Sequence, residues 1–241
     1  GSNYEYNGVW PNMTRDTTKL IRVDSLGDLG FENLNNAFTQ TTNLTSFVGG
    51  NTSNVTDMSG LFMGSGVTSV DVSTFDTSSV TNMSWMFGRA SNIQALDLSN
   101  FNTTNVTDMS YMFHTISSLV SLDLTMFDTS NVTSMDGMFS QEDEWGNYDG
   151  SQMSLISLDI STFDTSNVTN MMHMFAGFNI NSLNVSNFDT SNVTSMYAMF
   201  ESFKSSNPLD LSNFVTTNAY LYQLFANIDV PSLNLSNWNT D

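Results

Sequence analysis

The sequence contains no cysteine, which excludes disulfide frameworks, thiolate zinc sites and cysteine nucleophiles together. Positive charge is nearly as scarce. Five Lys and Arg stand against 24 Asp and Glu, a formal net charge of -19, and such a polyanion is repelled by nucleic-acid phosphates and by anionic lipid headgroups. Neither is an expected partner. No apolar run approaches the roughly 20 residues that span a bilayer, and the amino terminus lacks the basic-then-apolar build of a signal peptide. The only histidines are His114 and His173, and neither falls in a hydrolase or zinc-ligand spacing. Both read as surface residues. No glycine-rich phosphate loop is present. Carboxylate pairs are copied from unit to unit, whereas an active site is singular, so the chain reads as a protein that is not an enzyme and carries no cofactor.

Ser, Thr and Asn fill the space left by charge, and they do so periodically. The segment Leu122-Asp123-Leu124-Thr125-Met126-Phe127-Asp128-Thr129-Ser130-Asn131-Val132-Thr133-Ser134-Met135-Asp136-Gly137-Met138-Phe139 recurs along the chain. Its closing phenylalanine falls at Phe38, Phe62, Phe87, Phe113, Phe139, Phe175, Phe200 and Phe225, in steps of 24, 25, 26, 26, 36, 25 and 25. A second ladder runs through Phe75, Phe101, Phe127, Phe163, Phe188 and Phe214, with Trp238 in the next place. Eleven of the 16 methionines occupy two further columns, one through Met83 and Met109, the other through Met86 and Met112. Asn54, Asn105, Asn131, Asn167, Asn192 and Asn218 make another, expected to be a buried ladder that satisfies backbone groups.

Within a unit, Leu-Asp-Leu alternates with period two, which predicts a short strand with leucines inward and Asp outward. Val-Thr-x-Met-x-x-Met-Phe places apolar groups at i, i+3, i+6 and i+7, which predicts a short helix or 3₁₀ turn capped by the preceding Thr-Ser-Asn. A unit of this size cannot bury its own apolar face, so about eight of them must stack. The predicted fold is an α/β repeat, a right-handed solenoid with one parallel sheet of short strands and short helices or 3₁₀ turns on the opposite side. Residues 1–30 read as a tag remnant, Gly1-Ser2, followed by a cap built on Tyr4, Tyr6, Val9, Trp10 and Leu20-Ile21-Arg22-Val23. Residues 31–241 form the solenoid, with an inserted loop near 140–152, and the chain reads as a piece excised from a longer protein.

Leu119-x-x-Leu122-x-Leu124-x-x-Phe127 resembles the leucine-rich-repeat strand motif, with Phe where Asn or Cys usually stands. The longer word Phe-Asp-Thr-Ser-Asn-Val-Thr-x-Met-x-x-Met-Phe resembles the BspA-like leucine-rich repeats of bacterial surface proteins, over roughly residues 31 to 241. The resemblance implies an extracellular module on the cell surface or cell wall of a bacterium. It further implies adhesion to host or extracellular-matrix glycoproteins or glycans. The alternatives are a structural spacer within a larger surface protein, and binding to ice or to a polysaccharide surface through regular hydroxyl ladders.

Two sets of residues are candidates for such binding. Asp71, Asp97, Asp123, Asp159 and Asp210 form an outward column flanked by Ser and Thr, suited to glycan hydroxyls, to a basic patch or to bridging cations such as calcium. Stacked carboxylates repel, which predicts raised folded-state pKa values and a domain stabilised by acid. The second set is Trp145, Tyr148 and Asp149 in the inserted loop, where aromatic rings beside acids suit a sugar.

Overall fold

Successive repeats lie side by side, joined by parallel backbone bridges. In the computed structural model, which describes residues 19–28, 30–141 and 154–238, a run of parallel bridges passes through Asn33, Asp57, Asn82, Asp108, Ser134, Asn170, Ser195 and Tyr220. Seven strands of two or three residues lie elsewhere on the coils: β1 (Arg22–Val23), β2 (Ser46–Val48), β3 (Ser69–Asp71), β4 (Asn179–Ile180), β5 (Lys204–Ser205), β6 (Leu209–Asp210) and β7 (Leu233–Asn234). All pair in parallel, as β1-β2-β3, β4-β5 and β6-β7, with Val48 opposite Asp71 and Asp210 opposite Asn234.

The α/β leucine-rich-repeat solenoid predicted from the sequence is therefore not the structure. Among the described residues there is no helix of any kind, and the strands form three small sheets rather than one. Val-Thr-x-Met-x-x-Met-Phe runs instead as consecutive tight turns. The N–H groups of Met83, Trp85, Phe87 and Arg89 donate to the carbonyls of Asp108, Ser110, Met112 and His114 one coil on, while those of Met86, Gly88 and Ala90 bond three residues back. Spacing explains the loss of the helix. Parallel bridges hold neighbouring backbones roughly 4.8 Å apart on this side as on the strand side, whereas packed helices need about 8–10 Å.

The apolar stripe survives by another route. Left-handed residues recur in pairs four apart, among them Trp85 and Arg89, Tyr111 and Thr115, Ala198 and Ser202, with φ between 50° and 60°. A non-glycine residue in this region costs roughly 1–2 kcal/mol, so packing and coil-to-coil bonds must hold it there. Gly60, Gly64, Gly137 and Gly177 occupy equivalent places at no such cost. At Gly137 a methyl group would also strike the Tyr111 ring.

The core is a set of columns. The closing phenylalanines, Phe38 through Phe225, stack ring on ring, with neighbouring centroids 5.6 to 6.1 Å apart. The second phenylalanine ladder and the two methionine columns are buried beside them. One core column is polar, and the apolar pattern of the sequence hides it. Thr52, Thr77, Thr103, Thr129, Thr165 and Thr190 are buried. The hydroxyls of Thr77, Thr103, Thr165 and Thr190 donate to the carbonyls of Asn102, Asp128, Asp189 and Val215 at 2.9–3.0 Å and accept the N–H of the same residues at 2.7–2.8 Å. One hydroxyl thus satisfies both backbone groups of one residue on the next coil.

The Asn column is exposed rather than buried, although it does serve the backbone: Asn105, Asn131, Asn167 and Asn192 donate to carbonyls of the preceding coil at 2.7–2.8 Å. In the region expected to be a cap, β1 lies on β2, and Tyr4, Tyr6, Val9 and Trp10 lie outside the described residues.

Replacing Thr103 by Val keeps the side chain's shape but removes both hydrogen bonds, leaving the N–H and C=O of Asp128 without them. Urea denaturation should show a loss of about 1–3 kcal/mol. A loss below about 0.5 kcal/mol, the size of an ordinary surface substitution, would show that the hydroxyl does not hold the coils together.

Candidate functional site

The predicted Asp column is a row of turn-makers. Leu122 and Leu124 are buried and Asp123 is exposed, as the alternation requires. Asp71, Asp97, Asp123, Asp159 and Asp210 each accept, through Oδ1, the backbone N–H two residues on, at 2.9–3.0 Å. Ser73 and Thr125 add their hydroxyls at 2.6 and 2.7 Å, and Asn184 and Asn234 make the same turn without a charge. The device recurs at two further corners of the coil, at Asp76, Asp128 and Asp189 with Ser78, Ser130 and Ser191, and at Asp57, Asn82 and Asp108 with Ser59, Ser84 and Ser110. These Asx turns bend the chain wherever a coil changes direction.

The turns reverse the expected titration. Hydrogen bonds from Ser73, Ser99, Thr125, Ser161 and Ser212 hold the carboxyls of Asp71, Asp97, Asp123, Asp159 and Asp210 below the ordinary carboxylate value. Repulsion from Asp123 raises Asp97 and Asp159, as the sequence suggested, but it is the smaller influence. Donors fixed by the turn outweigh like charges that face water.

Three of the five acids come together. Asp97, Asp123 and Asp159 line a shallow open groove of about 460 Å³ with Ser121, Thr125 and Ser157, over a floor that includes Leu96 and Leu122. A parallel bridge sets Asp123 opposite Asp159. Asp71 and Asp210 lie in β3 and β6, outside the groove. Trp145, Tyr148 and Asp149 fall outside the described residues. Among the described residues no three His, Asp or Glu side chains are grouped closely enough to hold a metal ion.

The histidines differ from the expectation of two surface residues. His114 is 1% exposed, its Nδ1 2.7 Å from the Ser140 hydroxyl and its Nε2 3.2 Å from that of Thr115. Burial, and next the Arg89 charge, push its pKa down to about 3. Trp85 and Tyr111 stack at 4.4 Å and both meet the His114 ring near-perpendicularly. A neutral imidazole closed in this way is a packing element, and the equally buried Ser140 is no accessible nucleophile. His173 is half-buried, 3.4 Å from Asp136 and edge-on to Tyr197.

The family described as Mycoplasma protein of unknown function, DUF285, matches residues 32–152 and 147–241. The chain belongs to this family. The DUF285 matches begin just before the first closing phenylalanine, Phe38, and take in the whole acidic groove. Neither a curated protein nor a solved structure matches this DUF285 chain.

Acid should destabilise the protein. The groove carboxyls titrate lower in the folded than in the unfolded state, so their contribution is present above about pH 4 and is lost as pH falls through the folded values. His114 acts in the same direction: below about pH 6.5 the unfolded chain binds a proton that the folded one refuses until about pH 3. Melting temperature should fall steadily from pH 7 to pH 4, and His114→Gln should flatten the decline, whose ceiling for one proton is about 1.4 kcal/mol per pH unit. A melting temperature that rises toward pH 4 would mean that repulsion between the stacked carboxylates outweighs the hydrogen bonds of the turns.

Proposed function

We propose that this chain is a non-catalytic binding module of a bacterial cell-surface protein, one that attaches to host or extracellular-matrix glycoproteins through its strand face. One observation carries the reading: three carboxylates and three hydroxyls from successive coils line one open groove. The turns use Oδ1 of each carboxylate, which leaves Oδ2 for a partner's donors. The likeness of the repeated word to the BspA-like surface proteins supports the extracellular setting, as do the acidic charge and the lack of cysteine.

A second reading, binding to ice or a crystalline polysaccharide, draws on a different face. Thr56, Thr81, Thr107, Thr133, Thr169 and Thr194 are all exposed, and each hydroxyl is fixed to a carbonyl of the preceding coil at 3.0–3.4 Å. A regular row of methyl and hydroxyl groups of this kind suits a repeating solid surface.

Capture on immobilised mucins, matrix proteins and a glycan panel separates the two. The first reading expects binding that falls at least tenfold in a variant carrying Asp97→Asn, Asp123→Asn and Asp159→Asn. Retention on crystalline polysaccharide or ice that is lost with Thr107→Val and Thr133→Val, and untouched by the aspartate changes, would favour the second reading and refute the first.

A further inference from the structure

At three positions around the groove the chain lacks a contact that some other coils make, and leaves an apolar side chain in water. Val120, Ile156 and Met126 are 58%, 66% and 68% exposed. Where Val120 and Ile156 stand, earlier coils have Thr45 and Thr68, whose hydroxyls bond the carbonyls of Ile21 and Thr45. Where Met126 stands, other coils have Asn100, Asn187 and Asn213. The amide of Asn100 bonds the carbonyls of Val72 and Phe75 at 3.0 Å, and the other two repeat the clamp. Valine, isoleucine and methionine make none of these bonds. Hydrogen bonds of this kind stabilise by roughly 0.5–1.5 kcal/mol each, so the fold alone gives no reason for the exchange. Exposed apolar groups flanking a groove suit an interaction surface.

Register places the three on the two sides of the groove aspartates. The Asp123–Asp159 bridge sets Val120 beside Ile156, and each directly precedes a groove serine, Ser121 or Ser157. Met126 follows Thr125 on the other side of Asp123 in the chain. The acidic groove therefore has aliphatic shoulders. Among the described residues that line it there is no basic side chain and no Trp or Tyr ring. Charge decides the occupant. A second copy of this chain, at net charge -19, or an anionic glycan would be repelled, whereas a cationic partner would be attracted. Lys and Arg side chains carry an apolar stem and a cationic head, so stems can cover the shoulders while heads reach the three carboxylates.

We propose that the shouldered groove docks a cationic polypeptide segment of a partner protein, one in which Lys or Arg alternates with aliphatic residues. This rests on the reading of the chain as a binding module, and it names the part of a glycoprotein that would be recognised: its polypeptide.

Fluorescence polarisation with three labelled dodecapeptides tests it on the intact chain: alternating Lys-Leu, alternating Lys-Ser of equal charge, and alternating Glu-Leu of reversed charge. The Lys-Leu peptide should bind at least tenfold more tightly than either control. Val120→Thr, Ile156→Thr and Met126→Asn together restore the residues used by other coils, and should weaken that binding at least tenfold with no fall in melting temperature. Asp97→Asn, Asp123→Asn and Asp159→Asn should weaken it and flatten its salt dependence. Equal binding of Lys-Ser and Lys-Leu, or binding undiminished in the Val120, Ile156 and Met126 variant, would overturn the proposal. Matrix glycoproteins still captured by that variant would refute the shouldered groove and leave the module reading intact. Failure to bind peptides and glycoproteins alike would remove both.

Discussion

Everything in this structure depends on one spacing. Successive coils are bridged backbone to backbone on more than one side, and the closing phenylalanines repeat at 5.6 to 6.1 Å through the core. At that separation a helix does not fit, and a two-residue strand bonds only with its neighbours. Each coil must hand its backbone donors and acceptors to the coils on either side. The buried threonine column shows how closely the demand is met, since a hydroxyl from one coil serves both the N–H and the C=O of one residue on the next. The left-handed turn residues follow from the same demand: they aim alternate N–H groups along the stack, at a conformational cost that only a repeating, mutually supported structure sustains.

How much of this is legible in sequence depends on the scale of the question. The phenylalanine and methionine columns are visible by self-comparison, and they are the buried core. Local conformation is not visible. Met83, Met86 and Phe87 carry the spacing of a helix, but that spacing says only which residues face inward, and a turn with two left-handed residues satisfies it equally well. The aspartates show the same division. Their exposure followed from alternation, and their place in one column from the repeat. Their chemistry followed from the Ser or Thr two residues on, a D-x-S/T signal present in the sequence at three corners and outweighed there by the idea of stacked charges. His114 was missed because burial of an imidazole depends on Trp85 and Ser140, which are brought to it from the neighbouring coils.

A repeat protein offers an internal standard for function. Where every coil makes the same contact, that contact belongs to the fold. Where a few coils abandon it, the abandoned position calls for another explanation. By that standard the aspartate corner is first a structural device, and charge alone does not make it a site. Val120, Met126 and Ile156 are among the departures, and they flank the groove that Asp97, Asp123 and Asp159 share. Scaffold and recognition thus reside in the same columns, separated by which residue fills each place.

Native-state hydrogen exchange, read residue by residue by NMR, bears most directly on the idea that bonds between coils rather than within them hold the molecule together. The amides of Trp85, Tyr111 and His173 lie in left-handed turns yet donate to Ser110, Asp136 and Tyr197 on the next coil at 2.7–2.9 Å. They should exchange only through the large cooperative opening that also releases the Asp128 amide held by Thr103. Exchange of these three amides at the rates of locally fraying turns, while Asp128 stays protected, would show that the turns stand apart from the stack and would contradict the picture of coils bonded along its whole length.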